Sequence, residues 1–555
     1  MKELTAVSPV QRADFENVRI ENAGRPMFHT MMDIPLRVTD LIRRAERLFS
    51  AQEVVSRLSA NLIERTTYAA LGEKVRRLGA GLTGARVRPG DRVATLMWNH
   101  ATHVAAYYAI PTIGAVVHAL NPRLSPDELA YIVSDAGDSA LLIDEDLLPL
   151  WEEVEKRVKV PIVIVNGVGG ERTGLDALLA SAPMNWPDDL SGEHDPVSIC
   201  YTSGTTGRAK GVVYSHRSII LHALAVSLPN QFCISGTDAL LALTPMFHVN
   251  AWGIPFAAVM AGAKLLLTGR RISGRECLDF MIAEDATHAF GVPTFWSAVL
   301  SELEQHPHQW VLPAGIRFES GGASPPGGMR QRFDRFGVRL NSGWGMTETS
   351  PLGSYPWLKS EFLAATTGKK MALRSSNGLP LPFVEMRVVD ERGEELPWDG
   401  IAKGELQVRG PWVARGYVGH PELLPAVTPD GWLKTGDISV IDPAGYMRLV
   451  DRFKDLIKSG GEWISSIQLE KSLEEHASVA EAAIIAVPDE RWSERPLAII
   501  VLRENCIATA EDLRAHLGAR HPKWMVPDQV VFLPELPKTS LGKLDKASLR
   551  QRFVK

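Results

Sequence analysis

The chain has little of what marks the specialised protein classes. Only four cysteines occur in 555 residues, and Cys200, Cys233, Cys277 and Cys506 are scattered without the paired spacing of a zinc site or a disulfide framework. They are expected to be small buried thiols of a reduced, cytoplasmic protein. No charge of one sign dominates: 60 basic residues face 65 acidic ones, a net charge of −5. That balance removes the electrostatic case for a nucleic-acid partner. No uninterrupted run reaches the ~20 apolar residues of a membrane span. The two most apolar stretches, 104–120 and 251–267, are broken by Pro, Gly and His or Lys. The opening Met1-Lys2-Glu3-Leu4-Thr5-Ala6 does not have the pattern of a secretory signal, so none is expected. Internal repeats and low-complexity runs are missing as well.

What remains is ordinary for a globular protein, with 45% hydrophobic and 23% charged residues. Single cores stop growing at about 250–300 residues, so this length predicts more than one domain. Residues up to about Arg25 are polar and unpatterned and read as an extended arm. Apolar spacing then predicts helices over 35–48, 71–82, 104–113, 125–136 and 218–228; Ser125 and Glu128 form a capping box. Short apolar runs at 92–96, 115–119, 140–144, 160–165 and 239–244 read as strands between them. Such alternation argues an open α/β sheet, whose ligand crevices lie at the carboxyl ends of its strands. Later, helices over 466–475 and 510–519 with strands at 481–487, 497–502 and 529–533 read as a compact α+β unit.

One stretch organises the rest. Ser198-Ile199-Cys200-Tyr201 can enter a core as a strand, and Val212-Val213-Tyr214 can return as another. Between them Thr202-Ser203-Gly204-Thr205-Thr206-Gly207-Arg208-Ala209-Lys210-Gly211 is almost wholly Gly, Ser, Thr and basic residues. Glycines let the backbone approach a ligand, and the hydroxyls, amides and two cations all donate, which suits a polyphosphate. The usual triphosphate loop, G-x-x-x-x-G-K-[ST], is not met, because Ala209 stands where its second Gly would be. By composition alone an ordinary surface loop is the better fit, since Ser/Thr/Gly loops are common.

Other stretches leave the same choice open. Pro245-Met246-Phe247-His248-Val249-Asn250-Ala251-Trp252 follows a predicted strand, so His248 and Trp252 either face a crevice or pack as core. Ser320-Gly321-Gly322-Ala323 is a glycine turn after a strand, able to lie flat against a ring. The segment from Asp451 to Ser466 is charged and then Gly-rich, like a domain boundary. Its lysines, and Lys543 in a Gly turn, would by themselves be solvated surface.

In their order along the chain these stretches resemble the adenylate-forming superfamily, which holds acyl-CoA synthetases, firefly luciferase and nonribosomal-peptide adenylation domains. The loop from Tyr201 to Gly211 is similar to its phosphate loop, and Trp344-Gly345-Met346-Thr347-Glu348 to its Tyr-Gly-Met-Thr-Glu. Trp432-Leu433-Lys434-Thr435-Gly436-Asp437 matches Trp-x-x-Thr-Gly-Asp, and Pro537-Lys538-Thr539-Ser540-Leu541-Gly542-Lys543 matches the C-terminal loop. The resemblance covers residues from about 35 to 550. It implies an α/β protein: a large N-terminal domain of stacked α/β sheets over 1–451, a hinge at 452–454, and a small mobile α+β lid over 455–555.

The resemblance also implies site residues. Thr202, Ser203, Gly204, Thr205, Thr206, Gly207 and Lys210 would hold the phosphates of ATP, and Gly322 and Ala323 the adenine. Ser342, Gly343 and Trp344 complete the adenine side; Trp344 replaces Tyr, keeping an aromatic and dropping the phenol. Thr347 would donate to the α-phosphate, Asp437 would accept both ribose hydroxyls, and Arg452 would contact the ribose. Glu348, with the hydroxyl of Thr202, would anchor Mg²⁺, which keeps several waters and needs few protein ligands. His248 would sit beside the acyl carboxylate, Val249 and Trp252 would line the acyl tunnel with Trp252 as its gate, and Lys543 would be the catalytic cation. Lys454 would be the pivot.

Gly460-Gly461-Glu462-Trp463-Ile464-Ser465-Ser466 and Asn121-Pro122-Arg123-Leu124-Ser125-Pro126 are narrower signals. They resemble fatty-acyl-CoA synthetases and 3-methylthiopropionate-CoA ligases, in which Lys454, Lys458 and Trp463 line the adenylate. The implied protein is an ATP-dependent acyl-CoA ligase that uses ATP, Mg²⁺ and coenzyme A on a medium- or long-chain alkyl carboxylate. A short thioalkyl acid is the alternative, and an acceptor other than CoA a lesser one. A cytoplasmic homodimer without nucleic acid or transmembrane segment is expected.

Overall fold

Two seven-stranded sheets carry most of the chain. The computed structural model describes residues 31–167, 170–186, 191–202, 208–419, 427–460, 462–539 and 543–554. The expected arm before Arg25 lies outside them. Residues 37–555 form one compact unit.

In the first sheet the spatial order is Thr173–Gly174, Ile162–Asn166, Asp138–Asp144, Arg92–Leu96, Val116–Ala119, Pro196–Tyr201 and Gly211–Ser215. All neighbours are parallel except the last pair, which is an antiparallel hairpin. The second sheet runs Arg339–Ser342, Arg317–Ser320, His288–Gly291, Ala239–Ala242, Lys264–Leu267, Glu53–Ser59 and Leu62–Thr67. It too is parallel up to a closing hairpin, Glu53–Ser59 with Leu62–Thr67. Parallel strands need crossovers, and the helices that supply them cover both faces.

The helix Ala101–Thr112 lies between the sheets. All twelve of its residues are buried, so it has no polar face to show. It touches strands of both sheets, and its two tyrosines reach across to backbone carbonyls, Tyr107 to Met246 at 2.6 Å and Tyr108 to Pro255 at 3.2 Å. On the outer face of the second sheet, Gly274–Ala283 and Pro293–Gln305 seal a core in which Trp296 stacks on Phe318 at 4.4 Å.

The expected elements are present with shifted ends. The helix foreseen over 104–113 starts three residues earlier, where His100 caps it. The helix over 125–136 keeps both arms of its capping box, from Ser125 and Glu128, and stops at Gly137 in the left-handed region. The cysteines depart from expectation: Cys200 and Cys277 are buried, but Cys233 is exposed and Cys506 is intermediate. Cys233 lies at φ +54 in the loop that follows the helix His216–Ser227, and this loop leaves it exposed.

Beyond 344 the chain builds smaller sheets. A three-stranded sheet contains Trp344–Gly345 and Leu352–Tyr355, and a four-stranded antiparallel sheet contains Leu433–Ile441 and Met447–Arg452. The C-terminal sheet pairs Val479–Asp489 with Ser493–Leu502, is flanked by Ser466–Glu474 and Ala510–Gly518, and has its own core around Ile484 and Leu513. Among the described residues no helix is long and apolar enough to cross a membrane.

Trp296 is fully buried in the outer core. Trp296→Ala is expected to lower stability by about 3–5 kcal/mol, read as an earlier urea transition of the large sheets.

Candidate active site

The polar loop leaves and re-enters the first sheet at its hairpin. Tyr201 pairs with Gly211, and the amide of Thr202 donates to the carbonyl of Lys210 at 2.9 Å, closing the loop's neck. Gly211 has no room for a side chain: a Cβ would lie 2.7 Å from Val418 and 2.9 Å from the Tyr201 ring. Tyr201 is tied by its hydroxyl to Asp135 at 2.6 Å, and Arg208 lies over the Tyr131 ring at 4.8 Å. Ser203, Gly204, Thr205, Thr206 and Gly207 lie outside the described residues. Thr202, Arg208 and Lys210 line a cleft of about 2230 Å³.

At the carboxyl end of Ala239–Ala242 the chain turns into the same cleft. Asn99 holds this turn from both sides. Its Nδ2 donates to the carbonyl of Thr244 at 2.8 Å, and its Oδ1 accepts from the amide of Met246 at 2.9 Å. His248 keeps part of its surface open to the cleft. Burial of its ring, and then the Lys543 ammonium, hold the imidazole down at about 3, so it stays neutral. Val249, Asn250, Ala251 and Trp252 follow with φ of 48°, 54°, 50° and 59°, a turn of left-handed helix ending on Gly253. Each such residue costs roughly 1–2 kcal/mol, and Val is among the least tolerant. The turn throws the Trp252 ring against Gly321, where a Cβ would sit 2.7 Å from it. Val249 and Trp252 line the cleft with His248.

The opposite wall comes from three strands. The Gly322 turn follows Arg317–Ser320 at φ +82, and a Cβ there would lie 3.0 Å from Cε of Lys543. Gly322 is favoured by its backbone angle, and any side chain there would crowd the lysine stem. Ala323, Ser342 and Gly343 border the cleft beside it. Trp344 and Asp437 meet directly: the indole Nε1 donates to Oδ2 at 2.7 Å. The register of Leu433–Ile441 on Met447–Arg452 sets Arg452 opposite Asp437, with Nε 3.5 Å from Oδ1. Burial pushes the Asp437 carboxyl up, while Arg452 and the Trp344 N–H pull it back.

Thr347 and Glu348 follow in a short 3₁₀ turn. Glu348 is buried; Tyr417 donates to its Oε1 at 2.7 Å, and Lys210 lies over the Tyr417 ring at 5.1 Å. Tyr417, like Asn99, carries no motif that announces it. Glu348 and the Thr202 hydroxyl border the same cleft, and Glu348 keeps lone pairs that Tyr417 does not use. That donor set fits a Mg²⁺ ion held largely by water and phosphate. Among the described residues no cluster of three or more His, Cys, Asp or Glu offers a complete protein cage.

Lys543 comes from the C-terminal loop into this cleft. Its backbone is fixed by Thr539, whose amide donates to the Lys543 carbonyl at 2.7 Å and whose hydroxyl accepts from the Lys543 amide at 3.2 Å. Burial, then Arg452, bring its ammonium down to about 8, against the pull of Asp437 and Glu348. Lys454 reaches the cleft too. Lys458 and Trp463 do not. They line a second cavity, of about 870 Å³, with Lys458 Nζ 4.5 Å over the Trp463 ring.

The chain matches the family model of AMP-binding enzymes over residues 43–418 and that of the AMP-binding enzyme C-terminal domain over 468–543. It therefore belongs to the AMP-binding enzyme family. It is 44% identical to a long-chain-fatty-acid–CoA ligase of Thermus thermophilus, covering 94% of this chain and 97% of that protein. It is 36% identical to a medium-chain-fatty-acid–CoA ligase of Ectopseudomonas oleovorans, over 95% and 98% of the two chains. A 3-methylmercaptopropionyl-CoA ligase of Ruegeria pomeroyi is 38% identical, over 95% and 99%. In three dimensions it resembles the o-succinylbenzoate-CoA synthetase of Bacillus subtilis in complex with its acyl-adenylate intermediate. There the TM-score is 0.79 at 26% identity, over 94% of this chain and 99% of that one.

Glu319 lies just before the glycine turn and is fully buried. Tyr355 donates to its carboxylate at 2.9 Å and Asn341 at 3.1 Å. Burial nevertheless raises its carboxyl to about 7. The folded state thus holds this proton more tightly than the unfolded chain does, so its contribution is complete below about pH 4.5 and is lost as pH rises through 7. Between pH 5 and 8 the native protein is expected to lose stability relative to Glu319→Gln, by up to about 3 kcal/mol. Paired thermal melts at the two pH values measure it.

Proposed function

We propose that the chain is an ATP-dependent, AMP-forming acyl-CoA ligase. It activates a medium- or long-chain fatty acid, or a similar alkyl carboxylate, as acyl-AMP and transfers the acyl group to coenzyme A. The observation that carries this reading is the convergence of Lys543, Asp437, Glu348 and the Gly322 turn on one cleft shared with His248 and the neck of the phosphate loop.

In the first half-reaction an oxygen of the substrate carboxylate attacks the α-phosphate of ATP, and the bond to the β-phosphate breaks, releasing diphosphate. Two anions must meet, so positive charge has to be supplied where they meet. Lys543 brings an ammonium to the junction, and Lys210 and Arg208 bring cations to the rim. Thr347 donates to the α-phosphate. Glu348 and Thr202 would hold Mg²⁺, which would supply positive charge to the phosphates. Asp437 and Arg452 hold the ribose. His248, neutral, stands beside the acyl carboxylate without adding a second negative or positive charge. Val249 and Trp252 border the acyl chain.

In the second half-reaction the CoA thiol attacks the acyl carbonyl and AMP leaves. The segment 455–555 acts as a lid on the body 1–451, turning about 452–454 with Lys454 as pivot. Such a turn withdraws Lys543 and brings Lys458 and Trp463 round from the second cavity. The resemblance supports a homodimer in the cytoplasm as the working form. A short thioalkyl acid is the second reading for the substrate, supported by the 38% identity to a 3-methylmercaptopropionyl-CoA ligase.

Two measurements test this. A panel of acids from propionate and methylthiopropionate to palmitate, assayed by CoA-dependent AMP release, should peak at medium or long alkyl chains; a peak at methylthiopropionate selects the second reading, and no AMP release with any acid overturns both. Lys543→Ala should cut diphosphate exchange into ATP by at least about 100-fold, the scale of one lost transition-state charge contact. It should leave thioesterification of supplied acyl-AMP near native; equal loss of both half-reactions would argue against the assignment.

A further inference from the structure

Position 344 carries Trp where the motif it resembles, Tyr-Gly-Met-Thr-Glu, has Tyr, and the indole N–H has a partner in Asp437. We infer that Trp344 is a positioning residue for the nucleotide: its N–H sets the direction of the Asp437 carboxylate and thereby the enzyme's discrimination of ribose hydroxyls. This rests on the proposed role of Asp437 as the ribose acceptor.

Trp344 and Asp437 are 4% and 7% exposed, so the 2.7 Å bond between them is shielded from water. A charge-assisted bond in such surroundings is among the stronger kinds. The indole cannot swing away. Its backbone pairs with Ser354, and its six-membered ring lies on Gly353, where a Cβ would be 2.5 Å from a ring carbon, with Met386 next to it. Gly353 is thus the seat of the ring, and the seat aims the N–H.

The other partner of Asp437 is looser. Arg452 stands 3.5 Å from Oδ1, and its side chain is 45% exposed. A terminal carboxylate torsion is broad and soft, so a half-solvated guanidinium leaves the two oxygens free to rotate. Pinning Oδ2 with a rigid donor fixes the remaining lone pairs in space, which is what selective acceptance from two adjacent hydroxyls needs. A tyrosine carries its oxygen on the ring axis, whereas the indole nitrogen lies off the axis on the five-membered ring. The aromatic surface survives that exchange, but the lateral donor does not.

The test uses the full-length protein with Trp344→Phe and Trp344→Tyr, assayed by diphosphate exchange with ATP, 2′-deoxyATP and 3′-deoxyATP, on an acid the native enzyme accepts. Both variants should raise KM for ATP about 10-fold, the scale of one hydrogen bond to a charged group, with the change carried by KM rather than kcat. Preference for ATP over each deoxynucleotide should fall several-fold. In an Asp437→Asn background the same substitutions should add little. Thermal melts identify a variant that has lost its fold, and Trp344→Tyr, which keeps most of the ring, stands in if the Phe variant does. A folded variant with unchanged ribose preference, or one whose loss lies in kcat alone, overturns the inference. Failure of the underlying reading looks different: the native protein would then show no preference for AMP over 2′-deoxyAMP and 3′-deoxyAMP in calorimetric binding.

Discussion

The constraint on this cleft is the cost of bringing the Lys543 ammonium out of water into a space that Asp437, Glu348 and Arg452 also line. Burial and then the Arg452 guanidinium lower the proton affinity of Lys543, and the attraction of Asp437 and Glu348 does not make up the difference. A permanent cation there would be expensive to keep without a substrate to neutralise. On the proposed reading the expense is temporary, because the cation arrives on the C-terminal loop when two anions must be joined and can leave afterwards. The glycine at 322, favoured by a φ of +82, also leaves the lysine stem room to pass.

Around this contact the fold supplies rigid parts. Asn99, just ahead of the buried helix Ala101–Thr112, and Tyr107 within it clamp the chain ahead of His248. The left-handed turn that follows is costly by itself and persists because packing holds it on both sides. Asn250 accepts from the buried Cys200 thiol, and Gly253 faces His222. Strain of this kind gathers where a side chain must be aimed against the preference of its own backbone, here the Trp252 ring against Gly321.

Local patterns carried much of the architecture. The Ser125 capping box, the buried helix, the hairpin around the polar loop and the strands of the C-terminal unit are each written in short-range spacing, and each is present within a few residues. The parts that stayed hidden have a common cause. The strand order of the second sheet joins Glu53–Ser59 to Lys264–Leu267, a pairing between segments far apart in sequence that no local window contains. Tyr417 reaches Glu348 across 69 residues and Asn99 reaches Met246 across 147, and neither sits in a motif. Cys233 was expected to be buried from composition alone, and a loop geometry that composition does not encode exposes it.

The sequence by itself determined the inventory: which loop is rich in donors, which turns contain glycine, which carboxylates and lysines stand in recognisable surroundings, and hence the family. Those are properties of residues and their near neighbours. Only the tertiary structure decided that Trp344 points its N–H at Asp437, that Lys543 occupies the cleft while Lys458 and Trp463 face another cavity, and that Glu319 is sealed beneath the glycine turn. Each of these is set by the register and packing of strands brought together from distant parts of the chain, and a single hydrogen bond or an unshared proton depends on placement to within an ångström.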